Sequence, residues 1–362
     1  MRVLFLVPHP PEGASGRQRV LQYLPWLAQH GIRAEVRPFM SQTLYRILYR
    51  PGRVPSKVAM TSVALAKRLG DLVRAARADV VVVHREALPL GTALIERLMA
   101  RLAPALVFDF DDAIYLPHAG RANSWTRLFR NAEKTAAIAR VSAHVIAGNQ
   151  TLAAYAQRYN AHVSVIPTPV DTDRFACAPP RAPSPAVVIG WIGSHSTARY
   201  LASLAGPLEA LSRRYPQLRI RVVGDGPNPL RLPNAEMIPW ALEREPDELH
   251  RFDIGLMPMP DDDWARGKCG FKALLYMSVG IPVAASPVGV NQEIVRDGVN
   301  GWLCRAESEW FERLSQLIED RGLRRRLGQA GRAIVEQEYS LRVQAPRLLH
   351  VLQQAGRNGR SV

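Results

Sequence analysis

Two series of short apolar runs, each run followed by residues whose apolar positions recur at helical spacing, restrict this chain to parallel strands joined by helices. The first series is "RVLFLV", "RAEVRPF", "DVVVVH", "ALVFDF", "AHVIAG" and "VSVIPT". The second is "AVVIGWIG", "RIRVVGDG", "AEMIPW", "DIGLMPM" and "IPVAAS". In the first series "RVLQYLPWLAQHG", stopped by a glycine, and "AEKTAAIARVS" read as helices. "ACAPPRAPSPA", residues 176–186, is too proline-rich for a helix or a central strand and reads as a linker. The expected division is a first domain over 1–178, a linker over 179–186, a second domain over 187–340, and a C-terminal helix over 341–362 that packs back on the first domain. The expected fold class is α/β: two Rossmann-like doubly wound domains facing a central cleft, with ligands beyond the carboxyl ends of the strands.

At 362 residues, 47% hydrophobic and 22% charged, the chain can bury two cores. It contains no run of about 18 apolar residues, and "MRVLFLVPHPP" turns into a strand where a signal peptide would carry a cleavage site. A cytoplasmic location is expected. Cys177, Cys269 and Cys304 lack metal or disulfide spacing and read as packing residues.

The formal charge is +15, from 47 basic and 32 acidic residues. Such a surface attracts nucleic acid, anionic lipid or phosphorylated substrates. Much of the excess is arginine spread along helices such as "RLMARL", where a solvated basic face explains it equally. Residues 41–57 mix Tyr45, Ile47, Leu48 and Tyr49 with Arg46, Arg50, Arg53 and Lys57, which suits an anionic membrane surface or a helix packed on the first domain.

Each half opens with a glycine turn after its first strand. In the first, Gly13, Ala14, Ser15 and Gly16 precede Arg17 and Arg19, so that backbone amides and arginines can face an anion. In the second, Gly190, Gly193, Ser194, Ser196 and Thr197 precede Arg199, and either Ser196 or Thr197 also suits a helix cap. A third signal is "GKCGFKALLYMSVG", where Lys268 and Lys272 stand at the head of a helix starting near Cys269 or Gly270. Cations there oppose the helix dipole by ~0.3–1 kcal/mol each, an arrangement that makes sense if a dianionic group docks between them and the helix amides. Snorkelling of both lysines to solvent is the plain alternative.

"VFDFDDAIYLP" places Asp109, Asp111 and Asp112 at a strand end. They resemble a metal-binding DxD, or they are acids of which one, Asp112, orients or deprotonates a bound hydroxyl, with His118 as a second candidate. Two flanking carboxylates of the glycosidase kind are not identifiable.

In order, "GASGRQRVLQYLPWL", "HRE", "VFDFDDAIYLP", "VIPTPVDTDRF", "IGWIGSHSTARYL", "DIGLMPMPDDDWARGKCGFKALLYM" and "IPVAASPVGVNQEIV" resemble the bacterial glycosyltransferases of the retaining GT-B group, family 4 or group 1. The resemblance spans nearly the whole chain. It implies a metal-independent transfer of a sugar from a nucleoside diphosphate sugar, UDP or GDP, to a hydroxyl of a cell-envelope glycan or lipid-linked acceptor, with no bound cofactor. It implies that Gly13, Ser15 and Gly16, Gly193 and Ser194, Arg199, and Lys268 and Lys272 contact the donor diphosphate. Val288, Gly289, Asn291 and Glu293 are implied near the donor sugar or nucleotide. One departure is plain: aligning Gly280 and Pro282 puts Gly267 and Leu275 where the group carries a Glu-x7-Glu pair. A nucleotide-sugar epimerase of the same fold, a catalytically degenerate scaffold and a basic nucleic-acid-binding protein are the competing readings. No helix-turn-helix, RRM or OB signature supports the last, and specific nucleic-acid binding is not expected.

Overall fold

The structure, a computed structural model, describes residues 1–48, 52–89, 91–116, 133–177, 184, 186–224, 230, 232 and 234–359, with the backbone alone at 195 and 196. The chain divides into two compact units. The first comprises Met1–Pro169, Gly267–Cys269 and Gln344–Val362, and the second Val170–Arg266 and Gly270–Val343. His118, Tyr49, Arg50 and most of the expected linker (residues 179–183 and 185) lie outside the described residues.

The apolar runs become strands, and those at the centre of each sheet are buried on both faces, as a parallel sheet covered by helices requires. In the first unit these are β1 (Arg2–Val7), β2 (Arg33–Pro38), β3 (Val80–His84), β4 (Leu106–Phe110), β5 (His144–Ala147) and β6 (Val163–Val165). They form one parallel sheet in the order β2-β1-β3-β4-β5-β6. β3 and β4 are buried along their whole length. The second unit repeats the plan with β7 (Val187–Gly193), β8 (Leu218–Gly224), β9 (Ala235–Ile238), β10 (Ile254–Met257), β11 (Val283–Ala285) and β12 (Gly301–Leu303), ordered β12-β11-β10-β7-β8-β9. Strand order reverses beside β1 in the first sheet and between β7 and β10 in the second, and a crevice forms beyond the strand ends at such points.

Three local expectations change. β12 falls within "RDGVNGWL", whose glycines and brevity read as a turn; pairing with β11 makes it a strand. "RVLQYLPWLAQHG" is not one helix but Ala14–Arg19, a 3-10 turn at Leu21–Tyr23, and Leu24–Gln29. Pro25 lacks an N–H and fits only the first turn, so a new helix starts there. Leu44 and Ile47 of residues 41–57 are buried in a cluster with Phe39, Met40 and Ala64, which takes these two side chains away from any outer surface. Of the cysteines, Cys269 and Cys304 are buried and Cys177 is exposed.

The Val54–Ala75 helix is fastened to the first sheet by buried charge. Its inner face carries Ala64, Arg68, Asp71 and Ala75. Arg68 donates to Asp71 Oδ2 at 3.2 Å, to the Val7 carbonyl at 3.4 Å and to the Arg37 carbonyl at 3.2 Å, while Arg37 Nε donates to Asp71 Oδ1 at 2.9 Å. Burial lowers the Arg68 pKa to about 10. Removing one partner of such a pair leaves an isolated buried charge, which costs about 3–5 kcal/mol. Asp71→Asn is therefore expected to destabilise the first unit by that order in urea denaturation, and the double variant Arg68→Met/Asp71→Asn to recover much of the loss; equal stability of Asp71→Asn and the parent would contradict this account.

Candidate functional site

In the first unit the polar groups gather at the carboxyl ends of β1, β3 and β4. The register sets His84, the last residue of β3, beside Asp109 of β4. His84 Nδ1 hydrogen-bonds Asp109 Oδ2 at 2.6 Å, and His84 Nε2 meets Ser15 Oγ at 2.5 Å. Ser15 also donates to Asp111 Oδ2 at 2.9 Å. Behind His84, Arg19 forms a buried ion pair with Asp109 and donates to the Ile166 carbonyl at 2.6 Å. Arg85 takes a left-handed backbone conformation, φ 62°, uncommon for a residue with a side chain. In it, Nε donates to Asp111 Oδ1 at 2.6 Å and Nη2 to Asp112 Oδ2 at 3.3 Å. Lys268 Nζ stands 3.4 Å from Asp112 Oδ1.

Three carboxylates thus meet three cations. Burial raises the pKa of Asp109, but Arg19 and His84 outweigh it and leave the carboxyl below its usual range. Asp111 follows the same balance against Arg85 and His84. Cys269, buried and donating to the Asp111 carbonyl at 3.2 Å, has its thiol pKa pushed up by that burial, which makes it a poor nucleophile. His9, whose ring lies 5.3 Å from that of Tyr45, is lowered to about 4 by burial and by the nearby Arg85 and His84.

The glycine turn of this unit does less for an anion than its composition suggests. The Gly13 amide donates to the Pro10 carbonyl at 2.8 Å, Gly16 is buried, Arg17 turns back on the Pro11 and Glu12 carbonyls at 3.1 and 3.3 Å, and Arg19 is engaged by Asp109. Ser15 is the member of the turn that reaches the polar cluster.

In the second unit, β7 ends at Gly193, Ser194 stands at the N-cap of the His195–Ala202 helix, and Thr197 donates to the Ser194 carbonyl at 3.1 Å. Lys272, in the first turn of the Phe271–Ser278 helix, donates to Thr197 Oγ1 at 3.0 Å, its ammonium 4.3 Å from the Trp191 ring centroid. A Cβ at Gly193 would stand 2.5 Å from that ring and 2.7 Å from the ammonium, so only glycine permits the approach. Arg199 is exposed and lies against its neighbour Tyr200, 5.1 Å from the ring, instead of joining Lys272 and Thr197. Lys268 and Lys272, expected to act as a pair, engage different groups: a carboxylate for the first, a hydroxyl and an indole for the second.

Further along, Val288 is buried, its amide donating to the Ser286 carbonyl at 2.8 Å. Asn291 is fully buried and donates to the same carbonyl at 3.0 Å. Gly289, φ 53°, brings the turn against the backbone of Arg266. These residues shape the turn, and Glu293 is exposed on the short Asn291–Ile294 helix. Leu275 is buried in the core of the second unit. Gly267 packs so closely on Ala113 that a Cβ would lie 2.6 Å from the alanine methyl, and its carbonyl accepts from Asn149 at 3.1 Å. No carboxylate fits at either position of the Glu-x7-Glu pattern.

His84, Arg85, His9 and Trp191 carry much of this geometry without having been singled out from sequence. The available signal was a histidine closing a run of four valines, and a tryptophan two residues before a strand-ending glycine.

Two family profiles match the chain: "Glycosyltransferase Family 4" over residues 17–174 and "Glycosyl transferases group 1" over residues 186–320. Similar solved structures include HepE of Anabaena in complex with UDP-glucose, 17% identical with a TM-score of 0.71, covering 98% of this chain and 100% of that one. A glycosyltransferase of Rickettsia africae is 15% identical, TM-score 0.69, with 98% of each chain covered. Sucrose-phosphate synthase of Thermosynechococcus elongatus is 14% identical, TM-score 0.70, again with 98% of each covered. At these identities the likeness is one of fold, the GT-B fold of two Rossmann-like domains. No curated protein matches the sequence.

The lowered His9 pKa has a thermodynamic consequence. Between the ordinary value of 6.5 and about 4 the unfolded chain binds a proton at His9 that the folded chain does not, so stability falls as the pH falls through that window. The full effect is roughly 3 kcal/mol. Urea denaturation at pH 7 and pH 4.5 is expected to show a smaller acid-induced loss for His9→Gln than for the parent, and parallel losses in the two proteins would refute it.

Proposed function

The chain belongs to the glycosyltransferases of the group 1/family 4 type, and from that premise we propose that it moves a hexosyl unit from a nucleoside diphosphate sugar to a hydroxyl of a cell-envelope glycan or lipid-linked acceptor, with retention and without a metal ion. The observation that carries the reading is Lys272, held by Trp191 and Thr197 at the carboxyl end of β7. This is where a doubly wound sheet receives a phosphorylated ligand.

In the transfer the anomeric C–O bond to phosphate breaks, a C–O bond to the acceptor oxygen forms, and the departing diphosphate takes up the acceptor's proton. Negative charge grows on the diphosphate, so a cation fixed before the reaction lowers the barrier without reorganising. Lys272 supplies that charge, Thr197 and Ser194 supply hydroxyls, and Arg199 on the same short helix supplies a second cation after turning from Tyr200. Lys268 orients Asp112 together with Arg85, and Asp112 in turn orients the acceptor hydroxyl; His118 is a further candidate there. Ser15, backed by His84 and Asp109, offers a fixed hydroxyl to a sugar. Val288 and Gly289 present backbone to the donor, Asn291 supports their turn, and Glu293 offers a carboxylate to sugar or ribose.

The metal-independent reading rests on compensation: Asp109, Asp111 and Asp112 are each matched by Arg19, Arg85 or Lys268. The UDP-glucose complex of HepE supports UDP over GDP as the donor base. A second reading, a scaffold with a lost donor site, draws on Gly267 and Leu275, where the group's two carboxylates are missing.

Calorimetric titration with UDP, GDP and ADP separates the two. One nucleotide is expected to bind, and Lys272→Ala to weaken it at least about tenfold, or ~1.4 kcal/mol, with a smaller loss for Arg199→Ala. Absence of binding by the folded protein would support the degenerate scaffold, and sugar isomerisation in the absence of acceptor would point to an epimerase.

A further inference from the structure

We propose that the Val54–Ala75 helix, with its neighbour Leu94–Leu102, is a docking face for anionic lipid. Among the described residues, every large hydrophobic side chain left exposed lies on these two helices except Val299. On the first they are Val54, Val58, Val63, Leu65, Leu69 and Val73, between 39% and 61% exposed; on the second, Leu94 and Leu102. Val54, Val58, Leu65, Leu69 and Val73 recur at four and seven residues, which is one stripe of a helix. At 1.5 Å per residue the stripe runs roughly 29 Å. A separate face, roughly a third of a turn round the helix, carries Ala64, Arg68, Asp71 and Ala75 and is the one fastened to the sheet. Leu72 and Ala75 share a hydrophobic cluster with Ile95 and Met99, so the two helices are packed neighbours.

Charge selects the occupant. Arg97 and Arg101 are exposed on the second helix, where helical spacing puts them on the same side as Leu94, and Arg77 is exposed just beyond the first. The only acids in the two helices, Asp71 and Glu96, are buried, the first on Arg68 and Arg37 and the second accepting from the Ala87 amide. A second copy of the chain on this face would set like charges against each other in a two-fold contact, whereas an anionic headgroup layer complements them. An apolar stripe with arginines beside it on the neighbouring helix is the composition of a surface lying in the plane of a membrane interface. Among the described residues no helix is long and apolar enough to cross a membrane. The proposal does not depend on the sugar-transfer reading.

Co-sedimentation of the full chain with vesicles tests it, and no nucleotide is needed. Binding to phosphatidylcholine vesicles containing 30% phosphatidylglycerol, about tenfold or more tighter than to pure phosphatidylcholine, is the expected result. Val58→Ser/Leu65→Ser/Leu69→Ser is expected to abolish it with an unchanged melting temperature, and Arg97→Gln/Arg101→Gln to bring the two vesicle types level. No preference for the anionic vesicles, retention of binding by the serine variant, or a dimer in sedimentation velocity that Leu69→Asp splits would each overturn the proposal.

Discussion

The buried pair of Arg19 and Asp109 fixes the chemistry of the first unit. A carboxylate taken out of water needs a countercharge and filled lone pairs, and Asp109 has both, from Arg19 and from His84. His84 is thereby held with its other nitrogen toward Ser15, which in turn contacts Asp111. Arg85 adopts a conformation that few arginines take because it must serve Asp111 and Asp112 together. The result is a chain of pre-set hydrogen bonds in which no member can turn without exposing another's charge.

The second unit solves a different problem with fewer parts. Its cation is steadied by an indole and a hydroxyl, partners that orient an ammonium without carrying an opposite charge of their own. Glycine at 193 is the condition for that arrangement, since any side chain would occupy the space of the ring and the ammonium. An electrostatic aid to a leaving group has to be in place before charge develops, and rigid neighbours at the end of a strand achieve this.

The same economy of charge explains the outer helix of the first unit. Arg68 and Asp71 lie on its inner face, and five valines and leucines at helical spacing remain outside. A sequence pattern assigns the apolar side of an amphipathic helix to the core; here ion pairing occupies part of that position and the apolar stripe is left facing out.

Sequence alone determined the two parallel sheets, because apolar runs of strand length and helical spacing are local properties. All eleven runs read as strands lie on strands of the structure, and only β12 was missed. The place of Lys272 in the first turn of an apolar helix was also legible, where a lysine opposes the dipole. What tertiary structure decided was which charges are already used. Arg17 and Arg19 look identical in a glycine-rich turn, yet one folds back on its own loop and the other finds Asp109 90 residues away. Lys268 meets Asp112 across 156 residues, and Val288 and Asn291 turn inward to hold a loop. Periodicity reports only near neighbours along the chain, whereas the partner of a buried charge is chosen by which strand ends the sheet brings together.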